Sequence, residues 1–255
     1  LVSASSLIEL EAALFGSTLA ITSLTSRKVT WEKEITMSWQ LLENLYSESL
    51  KHKHDQSTLP PFIASNDKLC LVTGTSGFLG AFLLVKLLAV SATCSSSEKF
   101  VCLVRAENDG VALERVKENL SHYDLWPPVG SEDERTFLES IVAVAGDFSK
   151  EDLGIGWIRF WALSKHLKRI FHCGAIVNST LSYTSHFASN VKGTINVLNL
   201  ARHSPCVFHF ISTLGFLGGH KTESFNVPTS HLEQVGGYGQ SKWVAEQIVY
   251  LAHKM

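Results

Sequence analysis

From residue 68 onwards, short apolar runs alternate with longer stretches in which apolar residues recur every three or four positions. Short runs bounded by turn residues indicate buried strands, whereas the three-to-four spacing indicates helices. This alternation is typical of an α/β fold with a doubly wound parallel sheet that helices cover on both faces. The segment Asp124–Glu134 is rich in turn residues and is predicted to be a surface loop. The predicted strands are Leu69–Val72, Phe100–Val104, Ile141–Ala145, Arg169–His172 and Val207–Ile211. The predicted helices are Leu79–Val90, Val111–Leu120, Ile158–Leu167, His186–Arg202 and Tyr238–His253.

The first 66 residues have a different pattern. The leucines of Leu7–Leu14 are spaced for one face of a short helix, and Ile35–Tyr46 predicts a second helix. A polar stretch then leads to Pro60-Pro61, which indicates the end of a linker. We therefore divide the chain into a helical arm or interdomain linker, 1–66, and the domain of the parallel sheet, 67–255. The arm is either flexible, or it is the tail of an upstream domain followed by a connector laid against the next domain.

The first apolar run, Leu69–Val72, ends at a glycine-rich turn that an apolar helix follows at once. A strand, a glycine-rich turn and a helix form the first unit of a Rossmann-like fold, in which phosphates rest on the helix N-terminus. Gly74 would allow the tight turn, Gly77 the approach of a pyrophosphate, and Gly80 the close packing of helix and strand. The Gly-x-x-Gly-x-x-Gly spacing resembles that of short-chain dehydrogenases/reductases. The predicted cofactor-binding residues of this turn are Gly74, Thr75, Gly77, Phe78, Leu79 and Gly80.

The residues after the second strand predict which nicotinamide cofactor is bound. In this fold an acidic residue at that position binds the free 2′-hydroxyl of NADH, and an arginine accommodates the 2′-phosphate of NADPH. Arg105 stands there, and Arg115 on the next helix could add a second cation. We therefore predict NADPH. Glu107 and Asp109 keep NADH open, since either could reach the ribose if the turn is long.

Residues after the third and fourth strands complete the predicted cofactor site. Asp147 follows the third strand and could accept a hydrogen bond from the adenine amino group, or could be a simple turn aspartate. The small residues Gly174 and Ala175 would let the backbone pass under the dinucleotide. His172, which precedes them, is interpreted as a packed core histidine.

A hydroxyl, a tyrosine and a lysine near the end of the chain predict catalysis. Tyr238 and Lys242 are four residues apart on a predicted helix and therefore share one face. A nearby ammonium would lower the pKa of the tyrosine, which could then hand a proton to a carbonyl oxygen while a nicotinamide delivers hydride. Thr213 or Ser212, after the fifth strand, could bond the same oxygen. The spacing therefore predicts Tyr238 and Lys242 as catalytic residues that also contact the cofactor, and leaves the choice between Thr213 and Ser212 open.

Composition and charge exclude several classes of function. The formal net charge of −2 gives no electrostatic reason to bind nucleic acid or an anionic membrane. The longest apolar stretch, Phe78–Val90, is too short to span a bilayer. Five cysteines without a Cys-x-x-Cys pair indicate free thiols in a reducing compartment, and no metal-binding cluster of Cys and His is present. We expect a cytoplasmic protein without a metal.

The motifs in combination resemble the thioester reductase domains of nonribosomal peptide synthetases, polyketide hybrids, carboxylic acid reductases and aminoadipate reductases. The resemblance covers about residues 66–250. It implies NADPH-dependent reduction of an acyl or peptidyl thioester, held on the phosphopantetheine arm of an upstream carrier domain, to an aldehyde or an alcohol. It also implies that Thr213, Tyr238 and Lys242 are the catalytic trio and that Asn190 helps to bind the cofactor. The matching segments are Thr73–Gly80, Leu103–Ala106, Gly146-Asp147, His172–Asn178, Asn190–Thr194 and Gly237–Glu246.

One departure from the family pattern leaves alternatives open. The family continues into a C-terminal substrate-binding lobe, whereas this sequence stops at Met255 and starts at Leu1. The resemblance therefore supports cofactor binding more firmly than turnover. The alternatives are redox-independent Dieckmann-type release, and a cofactor-binding or docking piece without turnover.

Overall fold

Five parallel strands organise the structure, a computed structural model that describes residues 31–52, 63–64, 67–93, 98–217 and 229–254. The strand order is β3-β2-β1-β4-β5, and every neighbouring pair is parallel. The order reverses at β1, which is the doubly wound arrangement predicted from the sequence. The strands are β1 (Lys68–Thr73), β2 (Glu98–Val104), β3 (Ile141–Ala145), β4 (Leu167–His172) and β5 (Val207–Phe210).

Helices connect the strands and continue beyond them. The described helices are α1 (Trp31–Lys51), α2 (Phe78–Thr93), α3 (Asp109–His122), α4 (Glu132–Ser140), α5 (Trp157–His166), α6 (Tyr183–His186), α7 (Gly193–Arg202), α8 (Thr229–Leu232) and α9 (Gly237–His253). A 3₁₀ turn spans Glu151–Gly154, and a π-helical turn spans Phe187–Lys192. No helix in this described part is long and apolar enough to cross a membrane.

The chain divides into two compact units, which are described separately. The sheet unit consists of the described residues of Leu41–Ala175 and Lys192–Ile211, and contains the five strands. The helical unit consists of the described residues of Leu1–Gln40, Ile176–Val191 and Ser212–Met255, and contains α9. The domain boundary predicted between residues 66 and 67 stays a prediction.

Both faces of the sheet are buried at β1 and β2, which explains why these two strands are nearly continuous apolar runs. Side chains alternate along β1, so that Leu69 and Leu71 join one core cluster while Cys70 and Val72 join the other. The first cluster includes residues of α5 and α7, and the second includes residues of α2 and α3. Burial raises the pKa of the Cys102 thiol to about 12, so this cysteine is an inert core residue.

Most predicted elements are present, with small changes at their ends. The strand Ile141–Ala145 is as predicted, and β5 ends one residue earlier than expected. The predicted helix His186–Arg202 begins at Tyr183 and is interrupted by the π-helical turn. Residues 132–140 form the unpredicted helix α4, so the predicted loop Asp124–Glu134 overlaps its beginning.

Helix α4 forms because of its N-terminal cap rather than an apolar face. The Ser131 side chain accepts a hydrogen bond from the Glu134 amide at 3.1 Å, and three acidic residues occupy the first turn. Such a cap and the helix dipole stabilise a helix start. None of the helix residues is buried, so the helix has no apolar periodicity to reveal it.

Helix α1 contains the predicted helix Ile35–Tyr46 and extends it at both ends. Its buried residues are spaced by three or four positions, as one helix face requires, but half of them are polar. The helix is therefore packed along its length. The buried residues are Trp31, Glu34, Ser38, Leu42, Leu45 and Ser49. The predicted helical leucines of Leu7–Leu14 and the linker end at Pro60-Pro61 lie outside the described residues.

We predict that Gly80→Ala strongly destabilises the protein. A Cβ at Gly80 would overlap the Gly74 carbonyl oxygen and lie 2.5 Å from its carbonyl carbon. Backbone atoms cannot move aside as a flexible side chain can, so we expect a loss of about 3 kcal/mol, at the upper end of overpacking. Urea unfolding followed by circular dichroism measures it. Gly110→Ala is the control, because its Cβ would meet only the Asn108 side chain at 3.2 Å, and it should change stability by no more than about 1 kcal/mol. Equal effects of the two changes would contradict the prediction.

Candidate active site

The glycine-rich turn lies between β1 and α2, as predicted. Gly74 has φ of +81°, a left-handed conformation that favours glycine, and a Cβ there would lie 2.8 Å from the Gly174 amide nitrogen. Gly80 faces the Gly74 carbonyl group directly. The backbone of the turn is therefore in contact with two other backbone segments. These contacts hold the N-terminus of α2 at the end of β1.

Gly77 differs from Gly74 and Gly80, because the protein itself does not require a glycine there. Its φ is not in the left-handed region, and a Cβ would meet only the Gly74 carbonyl oxygen, at an ordinary 3.4 Å. A glycine with room for a side chain is explained by a ligand that approaches the backbone. This fits the pyrophosphate role predicted from the sequence.

The first turn of α2 is suited to an anion. Its first turn contains no acidic residue, and a helix N-terminus offers unpaired amide groups to a phosphate. The side chains of Phe78 and Leu79 are exposed, 66% and 48%, and the Phe78 ring contacts the rings of Phe82 and Tyr123. The Thr75 side chain is fully buried.

Asn119, on α3, holds the glycine-rich turn and was missed by the sequence analysis. Its amide nitrogen donates hydrogen bonds to the Thr75 carbonyl oxygen at 2.9 Å and to the Gly77 carbonyl oxygen at 3.2 Å. One side-chain amide therefore uses both of its hydrogens on the backbone of the turn. It fixes these two carbonyl groups and, with them, the directions of the neighbouring amide groups.

The segment after β2 contains the residues predicted to select the cofactor. Arg105 is exposed, and the Arg115 guanidinium donates a hydrogen bond to the Arg105 carbonyl oxygen. The Asp109 carboxylate accepts hydrogen bonds from the Ala145 amide at 2.9 Å and from the Arg159 guanidinium at 2.5 and 3.1 Å. Burial raises the pKa of Asp109, but its hydrogen bonds and the charge of Arg159 outweigh burial and lower it overall. Asp109 therefore has a structural role that the sequence analysis did not predict.

The ends of β3 and β4 contain the other predicted cofactor residues of the sheet unit. Asp147 accepts hydrogen bonds from the Ser149 amide and hydroxyl at 2.9 and 2.7 Å, as a turn aspartate does. Gly174 is buried, with Phe148 so close that a Cβ would lie 2.6 Å from its ring. Ala175 is half-buried. The adenine role of Asp147 stays a prediction.

His172 is a core histidine, as the sequence analysis interpreted it. It is fully buried, and its ring nitrogens lie 2.7 Å from the Thr73 hydroxyl and 3.1 Å from the Thr194 hydroxyl. Thr73 also accepts a hydrogen bond from the Gly174 amide at 3.0 Å. The histidine thus ties the ends of β1 and β4 together beneath the predicted cofactor site.

In the helical unit, Tyr238 lies in the first turn of α9 and is half-buried. Its phenol hydrogen bonds with Thr213, whereas the Ser212 hydroxyl is buried without a hydrogen-bond partner among the described residues. Of the two candidate hydroxyl groups, that of Thr213 therefore hydrogen bonds with Tyr238 and that of Ser212 does not. Lys242 follows one turn later and is only 3% exposed.

The predicted lowering of the Tyr238 pKa is wrong. Burial raises the pKa of Tyr238 above its usual value, and the hydrogen bond with Thr213 opposes this only in part. Removing water disfavours the charged phenolate. The phenol consequently keeps its proton throughout the neutral pH range, as a proton donor must.

Asn190 lies in the π-helical turn and supports α9. Its side chain accepts from the Ile176 amide at 2.7 Å and donates to the Ile176 carbonyl oxygen and to the Ser241 hydroxyl, both at 3.0 Å. Ser241 in turn donates to the Tyr238 carbonyl oxygen at 2.7 Å. The chain of bonds thus reaches the backbone of the tyrosine turn. Isolated π-helical turns are frequent at functional sites. The predicted contact of Asn190 with a cofactor stays a prediction.

Comparison with known families identifies the class of protein. The profile of the NAD-binding family described as male sterility protein matches residues 72–255. The chain therefore belongs to this family, and the glycine-rich turn, the strands β2 to β5 and α9 all lie within the match.

Individual relatives are reductases and peptide synthetases. The chain is 36% identical to an aldehyde reductase of Aspergillus flavus over 70% of its length, and 40% identical to a non-canonical nonribosomal peptide synthetase of Aspergillus campestris over 70%. The solved terminal reductase domain of the myxalamid pathway matches 82% of the chain at 33% identity, with a TM-score of 0.63. A reductase domain of a Mycobacterium tuberculosis peptide synthetase matches 84% at 25% identity, with a TM-score of 0.54. These matches confirm the predicted resemblance to terminal reductase domains.

The chain spans only part of these proteins. It covers 17% of each Aspergillus relative, 53% of the myxalamid domain and 51% of the Mycobacterium domain.

We predict that Asn119→Ala weakens the binding of the nicotinamide dinucleotide about ten-fold. The change removes two hydrogen bonds that hold the glycine-rich turn, and each contributes roughly 1 kcal/mol. Isothermal titration with cofactor measures the effect. Asn44→Ala makes the same change at an exposed position of α1 and should leave affinity unchanged. A loss of affinity in both variants, or in neither, would refute this role of Asn119.

Proposed function

We propose that this chain is the cofactor-binding and acid-catalytic part of an NADPH-dependent thioester reductase, which releases a carrier-bound acyl or peptidyl chain as an aldehyde, or as an alcohol after a second hydride. The observation that carries the proposal is the hydrogen bond between Tyr238 and Thr213, with a buried Lys242 one turn further along the same helix. Nucleotide-binding turns occur in many enzymes, whereas a phenol beside a hydroxyl and a buried lysine is also suited to donate a proton to a carbonyl oxygen.

The sheet unit fits a nicotinamide dinucleotide. Gly77 leaves space at the turn for a pyrophosphate, and the N-terminus of α2 offers amide groups to it. When bound, NADPH would supply the hydride that reduces the carbonyl carbon. The close contacts at Gly74, Gly80 and Gly174 would keep the glycine-rich turn in position against the pyrophosphate.

The preference for NADPH rests on the segment after β2. Arg105 is exposed at the end of the strand, and a guanidinium can bind a phosphate with two hydrogen bonds. Asp109, one of the two acids that could have bound an unphosphorylated ribose, is already bound to Arg159 and the Ala145 amide. Arg115 holds the Arg105 carbonyl group and would steady the segment.

Acid catalysis would come from the helical unit. Tyr238 would donate its proton to the thioester carbonyl oxygen as hydride reaches the carbon, and Thr213 would hydrogen bond the same oxygen. The resulting hemithioacetal collapses to the aldehyde and the thiol of the carrier arm, so that one hydride and one proton are consumed for each carbon–sulfur bond broken. Lys242 would stabilise the transient phenolate with its positive charge.

The proposed partner is a carrier domain upstream in the same protein, whose phosphopantetheine arm would present the thioester. The described cysteines, Cys70, Cys102, Cys173 and Cys206, are free thiols. Free thiols favour a reducing compartment, and we propose that the reaction takes place in the cytoplasm.

We predict that Arg105→Ala weakens NADPH binding about ten-fold or more and leaves NADH binding unchanged. A charge-assisted contact with the 2′-phosphate contributes roughly 1.5–3 kcal/mol, which only the phosphorylated cofactor can use. Titration of both cofactors provides the measurement. Arg135→Ala, at an exposed position on α4, removes a similar charge and should affect neither cofactor. Equal weakening of both cofactors by Arg105→Ala would show that the 2′-phosphate assignment is mistaken.

We predict that Tyr238→Phe lowers turnover by about 10²–10⁴-fold while NADPH still binds, because the change removes only the proton donor. The assay uses the protein that contains this chain together with the substrate-binding region of the family. It follows NADPH oxidation and aldehyde formation from an acyl pantetheine thioester.

Tyr250→Phe is the matched control, since it makes the same change farther along α9. It should retain wild-type turnover. Product release without NADPH oxidation in the wild type would favour Dieckmann-type cyclisation. Cofactor binding without any product would favour a docking piece without turnover.

A further inference from the structure

Within the helical unit, a buried carboxyl group of α1 is hydrogen bonded to α6. The Tyr183 hydroxyl donates a hydrogen bond of 2.6 Å to Glu34, and the two residues are 4% and 2% exposed. Burial raises the pKa of Glu34, and the hydrogen bond from Tyr183 opposes this only in part. A buried carboxyl group is costly unless it is hydrogen bonded, and here the Tyr183 hydroxyl provides that bond. Neither residue belongs to the trio of Thr213, Tyr238 and Lys242.

An aromatic side chain strengthens this attachment. Trp31 is buried and packs edge-on against the Tyr183 ring, with centroids 5.4 Å apart. It also packs edge-on against Trp243, with centroids 6.4 Å apart. Trp243 directly follows Lys242 on α9. The first turns of α1 therefore contact α9 next to the proposed catalytic lysine.

The segment that contains Tyr183 supports the start of α9. A Cβ at Gly237 would overlap the backbone at Ser182 and Tyr183 and lie 2.5 Å from the Leu181 carbonyl oxygen. The backbone at residues 181–183 is thus in direct contact with the residue that precedes Tyr238. A displacement of Tyr183 would therefore move the first turn of α9.

We propose that Trp31 and Glu34 are positioning residues for Tyr238 and Lys242, so that the catalytic part of the reductase begins at Trp31 and not with the nucleotide-binding fold. The proposal rests on the proposed function for its catalytic consequence. Trp31 fixes α9 beside Lys242, and Glu34 fixes Tyr183, which supports the turn that contains Tyr238. Both act at a distance from the reacting atoms and touch neither substrate nor cofactor.

Three variants test the proposal at increasing severity. Tyr183→Phe removes only the hydroxyl, Glu34→Leu removes the acceptor, and Trp31→Ala removes the aromatic contact. Small misplacements of a catalytic group cost up to about 100-fold in rate. We expect kcat to fall about ten-fold for Tyr183→Phe and more for the other two. KM and the NADPH dissociation constant should stay within about two-fold of the wild type.

Conservative and matched variants separate positioning from general damage. Glu34→Gln keeps an acceptor for the Tyr183 hydroxyl and should restore most of the activity. Glu43→Leu and Glu43→Gln make the same two changes on α1 at a half-exposed residue that pairs with Arg202 in the sheet unit. Both should leave kcat unchanged.

Hydrogen exchange provides a readout that does not depend on turnover. The amides of 236–243 should exchange about ten-fold faster in Tyr183→Phe and Glu34→Leu than in the wild type, and Glu34→Gln should stay near the wild type. Amides of β1 and α2, in the sheet unit, should be unaffected.

The proposal is overturned if Glu34→Leu and Tyr183→Phe leave both kcat and exchange unchanged. It is also overturned if they abolish NADPH binding and speed exchange throughout the chain, since that describes a general stabilising role. A wild-type protein that fails to reduce thioesters would refute the proposed function. The exchange measurements would still decide whether Trp31 and Glu34 hold α9.

Discussion

The nucleotide-binding part of the structure depends on one close approach of backbone to backbone. The Gly80 α-carbon faces the Gly74 carbonyl group with no space for a methyl group between them. Because of this contact, α2 can begin directly where β1 ends, and its free amide groups stay at the edge of the sheet. Asn119 holds the same turn from α3 through two carbonyl groups. The position of the proposed anion site is therefore fixed by backbone geometry and one amide side chain, and Phe78 and Leu79 beside it are exposed.

The sheet could be predicted well from the sequence because strands that are buried on both faces are recognisable as short apolar runs. The central strands are apolar on both sides, and Ile141–Ala145 was predicted to the residue. Helix α4 has no such apolar pattern, since none of its residues is fully buried and its start depends on the cap of Ser131. That signal, a serine followed three residues later by a glutamate, was present in the sequence and was not used. The buried face of α1 contains both apolar and polar residues, so hydrophobic periodicity predicted only the middle part of this helix.

The candidate site was predictable where it depends on local spacing and unpredictable where it depends on folding. The glycine-rich turn and the four-residue separation of Tyr238 and Lys242 are local features. The choice between Ser212 and Thr213 required knowledge of which hydroxyl faces the phenol. The error in the direction of the Tyr238 pKa has the same origin, since spacing reveals a neighbouring charge but not the loss of water. Asn119 and Ser241 are ordinary polar residues on helices, and only their partners in space distinguish them.

The position of Asp109 constrains how this fold could be adapted to another cofactor. Its carboxylate joins three elements, since it sits at the start of α3, accepts from the last residue of β3 and pairs with Arg159 on α5. Replacing it would leave the arginine and the strand amide without their partner. Redesign of the proposed NADPH site toward an unphosphorylated dinucleotide would therefore have to introduce its acid at position 105 or rely on Glu107, and would have to keep Asp109 unchanged. Natural variation in cofactor preference is expected to follow the same route, with changes concentrated at the strand end and the aspartate retained.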